Sequence, residues 1–168
     1  MYATPQDYIA RMLQFVGNED PMTILRDTPL RLVDLVEATD AAARARRPEP
    51  DRWSINEIVA HMADAELVNG YRLRMILATN GTPLQAFDQD AWASTFRYDA
   101  CDAAESARLF AAYRTGTLRV LGLVDRALLE NYGVHAERGR ETLPHLLRFY
   151  AGHDRNHLDQ IERIIGTM

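Results

Sequence analysis

The stretch Glu141-Thr142-Leu143-Pro144-His145-Leu146-Leu147-Arg148-Phe149-Tyr150-Ala151-Gly152-His153-Asp154-Arg155-Asn156-His157-Leu158-Asp159-Gln160-Ile161-Glu162-Arg163-Ile164-Ile165-Gly166 decides the fold. Leu143, Leu146, Leu147, Tyr150, Leu158, Ile161, Ile164 and Ile165 recur at three- and four-residue steps, the period of a helix with one buried face. Pro144 suits its first turn, where a missing N–H is no loss, and Gly166 suits its end. His153 and His157 fall on the same apolar stripe, one turn apart, so their rings project side by side about 6 Å apart along the axis. Two imidazoles turned toward a core demand a reason.

Working outward, the same period recurs. Trp53-Ser54-Ile55-Asn56-Glu57 opens a second helix with a capping box, in which Ser54 and Glu57 each satisfy the other's free backbone N–H. Ile58, Val59, Met62, Ala65, Val68, Leu73 and Ile76 form its apolar side, His61 lies among them, and Asn80-Gly81 closes it. Asp102 with Glu105 starts another helix, with Leu109, Tyr113, Gly116, Val120 and Leu123 at helical steps. Thr4-Pro5 and Asp20-Pro21 are further starts, and Thr28-Pro29 predicts a kink or a fresh helix running to about Arg46. Four long amphipathic segments result, near 29–46, 54–80, 102–124 and 142–165. No strand pattern recurs; 131–140, with two glycines, reads as a loop or small hairpin. Between them, Thr82 to Cys101 is irregular but aromatic, with a short helix expected over 88–94. The expectation is an all-α protein: a single domain over 1–168, built as a four-helix bundle with an additional N-terminal helix and long crossover connections. The periodicity leaves the order of helices around the bundle open.

Composition narrows the function. The chain has 168 residues, 47% hydrophobic and 26% charged, enough to bury a core unaided. A formal charge of -5 argues against nucleic acid as a partner. A lone Cys101 excludes an internal disulfide and a cysteine-rich zinc site, and fits a reducing compartment. With no apolar run of about 20 residues and no secretory signal at the N-terminus, the expectation is a cytoplasmic protein with no membrane role.

His153 and His157 have the spacing that lets two imidazoles converge on one cation, as in zincin helices. Asp154, Arg155 and Asn156 between them lack the glutamate of that motif, so a zinc-protease reading fails. A third ligand is needed. His145 lies about 12 Å from His153 along the axis, too far to share a metal with both, and His135 stands in a polar loop. His61 is preferred because facing helices of a bundle meet in the core. A hydrogen-bonded core histidine is the alternative for His61 on these grounds alone.

At these residues the chain resembles the DinB/YfiT-like superfamily of four-helix-bundle proteins. The resemblance rests on Trp53-Ser54-Ile55-Asn56-Glu57-Ile58-Val59-Ala60-His61-Met62-Ala63-Asp64-Ala65-Glu66, on Gly139-Arg140-Glu141-Thr142-Leu143, and on His153-Asp154-Arg155-Asn156-His157-Leu158-Asp159-Gln160-Ile161. It implies that His61, His153 and His157 bind a divalent metal, nickel or zinc, with an open coordination position. It also implies a homodimer and a small-molecule substrate, a low-molecular-weight thiol being one candidate. Hydrolase and thiol S-transferase activities both occur in such proteins, and a non-catalytic metal-binding or stress-response bundle is the alternative. No catalytic residue is assigned. Asp64, Asp154 and Gln160 are candidates to support the ligands; Glu57 is better explained as the capping partner. Phe87, Trp92, Phe96 and Tyr98 either wall a pocket or, as expected here, cap the bundle.

Overall fold

The computed structural model describes residues 4–167. Helix α1 (Pro5–Val16) starts where Thr4 accepts from the Asp7 N–H. Helix α2 (Pro21–Glu37) is capped by Asp20, whose carboxylate accepts from the Met22 and Thr23 N–H groups. A short α3 (Ala41–Ala45) follows, then α4 (Ile55–Ala78), which begins with the capping box expected at Ser54 and Glu57. Strand β1 (Thr82–Leu84) and helix α5 (Gln89–Thr95) lead to α6 (Ala103–Leu123). Strands β2 (Tyr132–His135) and β3 (Gly139–Thr142) form a hairpin that feeds α7 (Leu143–Gly166). No helix of the described residues is long and apolar enough to cross a membrane.

The bundle consists of α2, α4, α6 and α7, with α1 laid against α7 as the additional N-terminal helix. Each of α4 and α2 packs against both α6 and α7, which puts α2 diagonally opposite α4, and α6 opposite α7. Sequence-adjacent helices are therefore not always spatial neighbours. The chain crosses a diagonal through α3 and again through the β2–β3 hairpin, which accounts for the length of both connections. Where α1 crosses α7, Gly152 is required: a Cβ there would sit 1.9 Å from the Met12 carbonyl oxygen.

Three expectations need correction. The segment near 29–46 is not one helix beginning at Pro29; α2 starts at Pro21, runs through Pro29 and stops at Glu37, and α3 is separate. Pro29 is tolerated because the carbonyl it leaves without a helical donor, that of Leu25, accepts from Arg114 Nη1 at 2.9 Å. The buried stripe of α6 is Ala103, Ser106, Ala107, Phe110, Arg114 and Thr117, whereas Leu109 and Leu123 are 50% and 74% exposed. Tyr113, Gly116 and Val120 of the expected stripe are half-buried, so periodicity found the edge of the buried face and missed its centre, which carries an arginine. Finally, a small sheet exists: β1 pairs in parallel with β2, Pro83 opposite Val134, and β2 pairs antiparallel with β3.

Apolar packing is divided in two. One core joins Met12, Ile24, Leu73, Ile76, Leu143 and Leu146 with their neighbours; the other joins Leu32, Ile58, Met62, Phe110, Leu158 and Ile161. Along α4 and α7, Glu66, His153, Asp154 and His157 fall between the stretches that build these two cores, and His61, on the edge of the second stretch, meets His153 across the bundle. The bundle thus has a polar waist.

Candidate metal centre

His61 comes from the second turn of α4, and His153 and His157 from consecutive turns of α7. All three are buried. Their Nε2 atoms point at one another: His61 to His153 is 3.1 Å, and His157 to His153 is 3.1 Å. One donor atom from each of the three lies within 4.8 Å of the others. The rings are inclined at 58°, 67° and 74°, so they converge by their edges and do not stack.

Ordinary hydrogen bonding does not explain this. An imidazole nitrogen carries either one proton or one lone pair, so His153 Nε2 can make one well-aligned bond and has two neighbours at the same distance. Three nitrogens bound to one divalent ion at about 2.0–2.1 Å would be separated by about 2.9–3.4 Å, which matches both measured pairs. The donor set fits a divalent cation that favours imidazole. Burial pushes the His61 and His153 imidazoles well below their ordinary pKa, with the charge of His157 adding to the effect. Burial takes His157 down to about 4, with Gln160 opposing. All three rings are therefore neutral at pH 7, the state a metal requires.

Gln160, one turn beyond His157, supports the cluster: His157 Nδ1–H donates to its Oε1 at 3.1 Å, leaving the Nε2 lone pair directed inward. Trp53 packs on His61 with ring centroids 5.2 Å apart, while His61 Nδ1 is buried with no partner among the described residues. The other candidates act elsewhere. Glu57 accepts from the Ser54 N–H at 2.8 Å and pairs with Arg47. Asp64 accepts from the Tyr98 hydroxyl at 2.6 Å. Asp154 belongs to a second buried cluster, where Arg114 donates to it at 2.7 Å and 3.2 Å and to Glu66 at 2.9 Å; Thr117 donates to Glu66 at 2.8 Å. Neither Glu66 nor Arg114 was marked by the sequence pattern, since a buried arginine reads as a break in an apolar stripe.

The histidines open onto a cleft of about 730 Å³. Phe87 lines it, against the expectation that the aromatics only cap the bundle. Trp92 packs at a tilt on Phe87, Phe96 is 53% exposed, and Tyr98 is buried on Trp53. His135, set aside as a loop residue, lies at the end of β2 and lines the cleft, as do Arg72 and Arg138. His145 takes no part in the cluster; its backbone N–H donates to the hydroxyl of Thr142, which caps the first turn of α7.

The sequence profile of the DinB superfamily matches residues 24–161, which spans all four bundle helices except the first turn of α2 and the end of α7, and leaves out α1. No curated protein matches the chain. Among solved structures, YfiT from Bacillus subtilis is similar with a TM-score of 0.80 and 17% sequence identity, over 99% of this chain and 90% of that one. That protein is described as a probable metal-dependent hydrolase with an unusual four-helix bundle topology. At this identity the likeness establishes the fold.

Proposed function

We propose that this chain, which belongs to the DinB superfamily, is a metal-dependent enzyme acting on a small molecule, with His61, His153 and His157 holding one divalent cation, nickel or zinc. The observation that carries the reading is the convergence of three buried, neutral imidazole donors beside an open cleft. When bound, such an ion lowers the pKa of a coordinated water or thiol toward neutrality.

The protein's own groups set the conditions for that chemistry. Gln160 fixes the tautomer of His157, and Trp53 holds the plane of His61. The carboxylates nearest in sequence are committed elsewhere, Glu57 to the cap, Asp64 to Tyr98 and Asp154 to Arg114. The nucleophile is accordingly water or a thiol substrate, which makes the reaction a hydrolysis or a thiol transfer. The reading includes a homodimer, for which the exposed Leu67, Tyr71 and Leu109 supply apolar surface.

The test is turnover of model esters, and of an electrophile with a thiol, by nickel- or zinc-loaded protein with and without chelator. Activity lost on chelation, and absent in a folded His157→Ala variant, is the expected result. Metal that raises thermal stability without any turnover would overturn the catalytic reading and leave a metal-stapled bundle.

A further inference from the structure

The histidines occupy one end of the cleft. Along α4 the cleft-lining face continues through Ala65 and Asn69 to Arg72, about 16 Å of helix axis beyond His61. There the wall is built from Arg72, from His135 at the end of β2, and from Arg138 in the hairpin turn.

Arg72 is 5% exposed, yet it forms no ion pair among the described residues. Among the described residues its one aligned hydrogen bond goes to the Gln85 carbonyl, and its buried Nε has no partner. The Tyr150 hydroxyl faces it without an aligned hydrogen bond. Arg138 differs: its guanidinium donates to both oxygens of the buried Glu141, at 2.6 Å and 3.0 Å. A buried cation without a counter-charge is costly, and proteins rarely keep one without use. Burial lowers the pKa of Arg72, and Tyr150 and Glu141 only partly oppose this.

His135 adds a second donor without an acceptor. It is 2% exposed, and its Nδ1 accepts from the Glu137 N–H at 3.2 Å, so its proton is on Nε2, which is buried with no partner among the described residues. The acids lining the cleft, Asp51, Asp90 and Glu137, are exposed on its rim, and none pairs with Arg72. Phe87, 5.8 Å from the Arg72 guanidinium, gives the wall an apolar flank.

We propose that Arg72 and His135 form a recognition site for the carboxylate of an elongated small molecule whose far end reaches the three imidazoles. Glu141 answers Arg138, so the wall carries one uncompensated positive charge and suits a monoanion better than a phosphate dianion. The part of this inference that places the far end of the ligand rests on the function proposed above; the carboxylate site does not.

The first arm is calorimetry on chelator-treated full chain with hexanoate, hexanol and hexyl phosphate. Hexanoate should bind at least about tenfold more tightly than hexanol, the increment of a charged hydrogen bond, and Arg72→Gln should abolish the difference. Equal binding of acid and alcohol to the unsubstituted protein overturns the proposal without relying on any variant. Tighter binding of hexyl phosphate than of hexanoate overturns the choice of a carboxylate. The second arm loads cobalt(II) and follows the sulfur-to-cobalt absorption band with mercaptoalkanoates of increasing length. Affinity that depends on Arg72 only for the longer members supports a two-ended ligand; affinity independent of Arg72 at every length overturns it. Failure to bind cobalt would refute the metal site and leave the hexanoate arm to decide the carboxylate site.

Discussion

Two buried polar clusters share the waist of this bundle, and they are built in opposite ways. Around Arg114 every strong group has a partner inside the protein: Asp154, Glu66, Thr117 and the Leu25 carbonyl account for the guanidinium and both carboxylates. Around His153 the strong groups point at each other, three nitrogens that cannot all be satisfied mutually. His153 and Asp154 are adjacent in sequence, yet one belongs to each cluster. A closed network of this kind is part of the fold, whereas an open one is arranged for something added later. Arg72, open in the same sense, falls with the histidines in that comparison.

The largest expected effect breaks the closed cluster. Arg114→Met leaves Glu66 and Asp154 buried without a cation and should cost about 3–5 kcal/mol in urea unfolding. Adding Glu66→Leu and Asp154→Leu should recover most of that loss, because removing a buried ionic cluster whole is far cheaper than removing half. A loss below about 1 kcal/mol for Arg114→Met would show that the cluster is not what holds α2, α4, α6 and α7 in register.

Chelation tests the open cluster. At a metal concentration about 100 to 1,000 times the dissociation constant, the ion should add about 3–4 kcal/mol to the unfolding free energy. His157→Ala should abolish that increment and bring bound zinc from one equivalent to nearly none by elemental analysis, with the chelated protein still folded. Gln160→Leu, which frees the His157 ring, should weaken metal binding by roughly 10- to 100-fold in a competition titration, and unchanged affinity would remove Gln160 from the site. Smallest of all, Asp64→Asn should leave metal affinity alone and cost only about 1 kcal/mol through its bond to Tyr98.

Much of this was legible from residue order. The capping box at Ser54 and Glu57, the proline-led start of α7 and the one-turn spacing of His153 and His157 are local features, and each element formed where its signal stood. Pro29 and Arg114 were not legible, because each looks like a fault alone and makes sense only against the other, 85 residues away. The same holds for β1, whose three residues carry no strand signal until β2 lies beside them. On α6, Leu109 and Leu123 drew the eye to the exposed face because hydrophobic periodicity has no way to score an arginine that is buried by two carboxylates.

Residue order by itself determined α4 and α7, their caps and the helix face on which each histidine of the cluster stands, since all of these follow from a period of 3.6 residues and from side chains meeting backbone within one turn. The tertiary structure alone decided which helices are neighbours, which buried charges are answered and that a cationic wall stands three turns from the imidazoles. Those outcomes depend on contacts between residues tens of positions apart, and Coulombic and packing energies are set by distance in space.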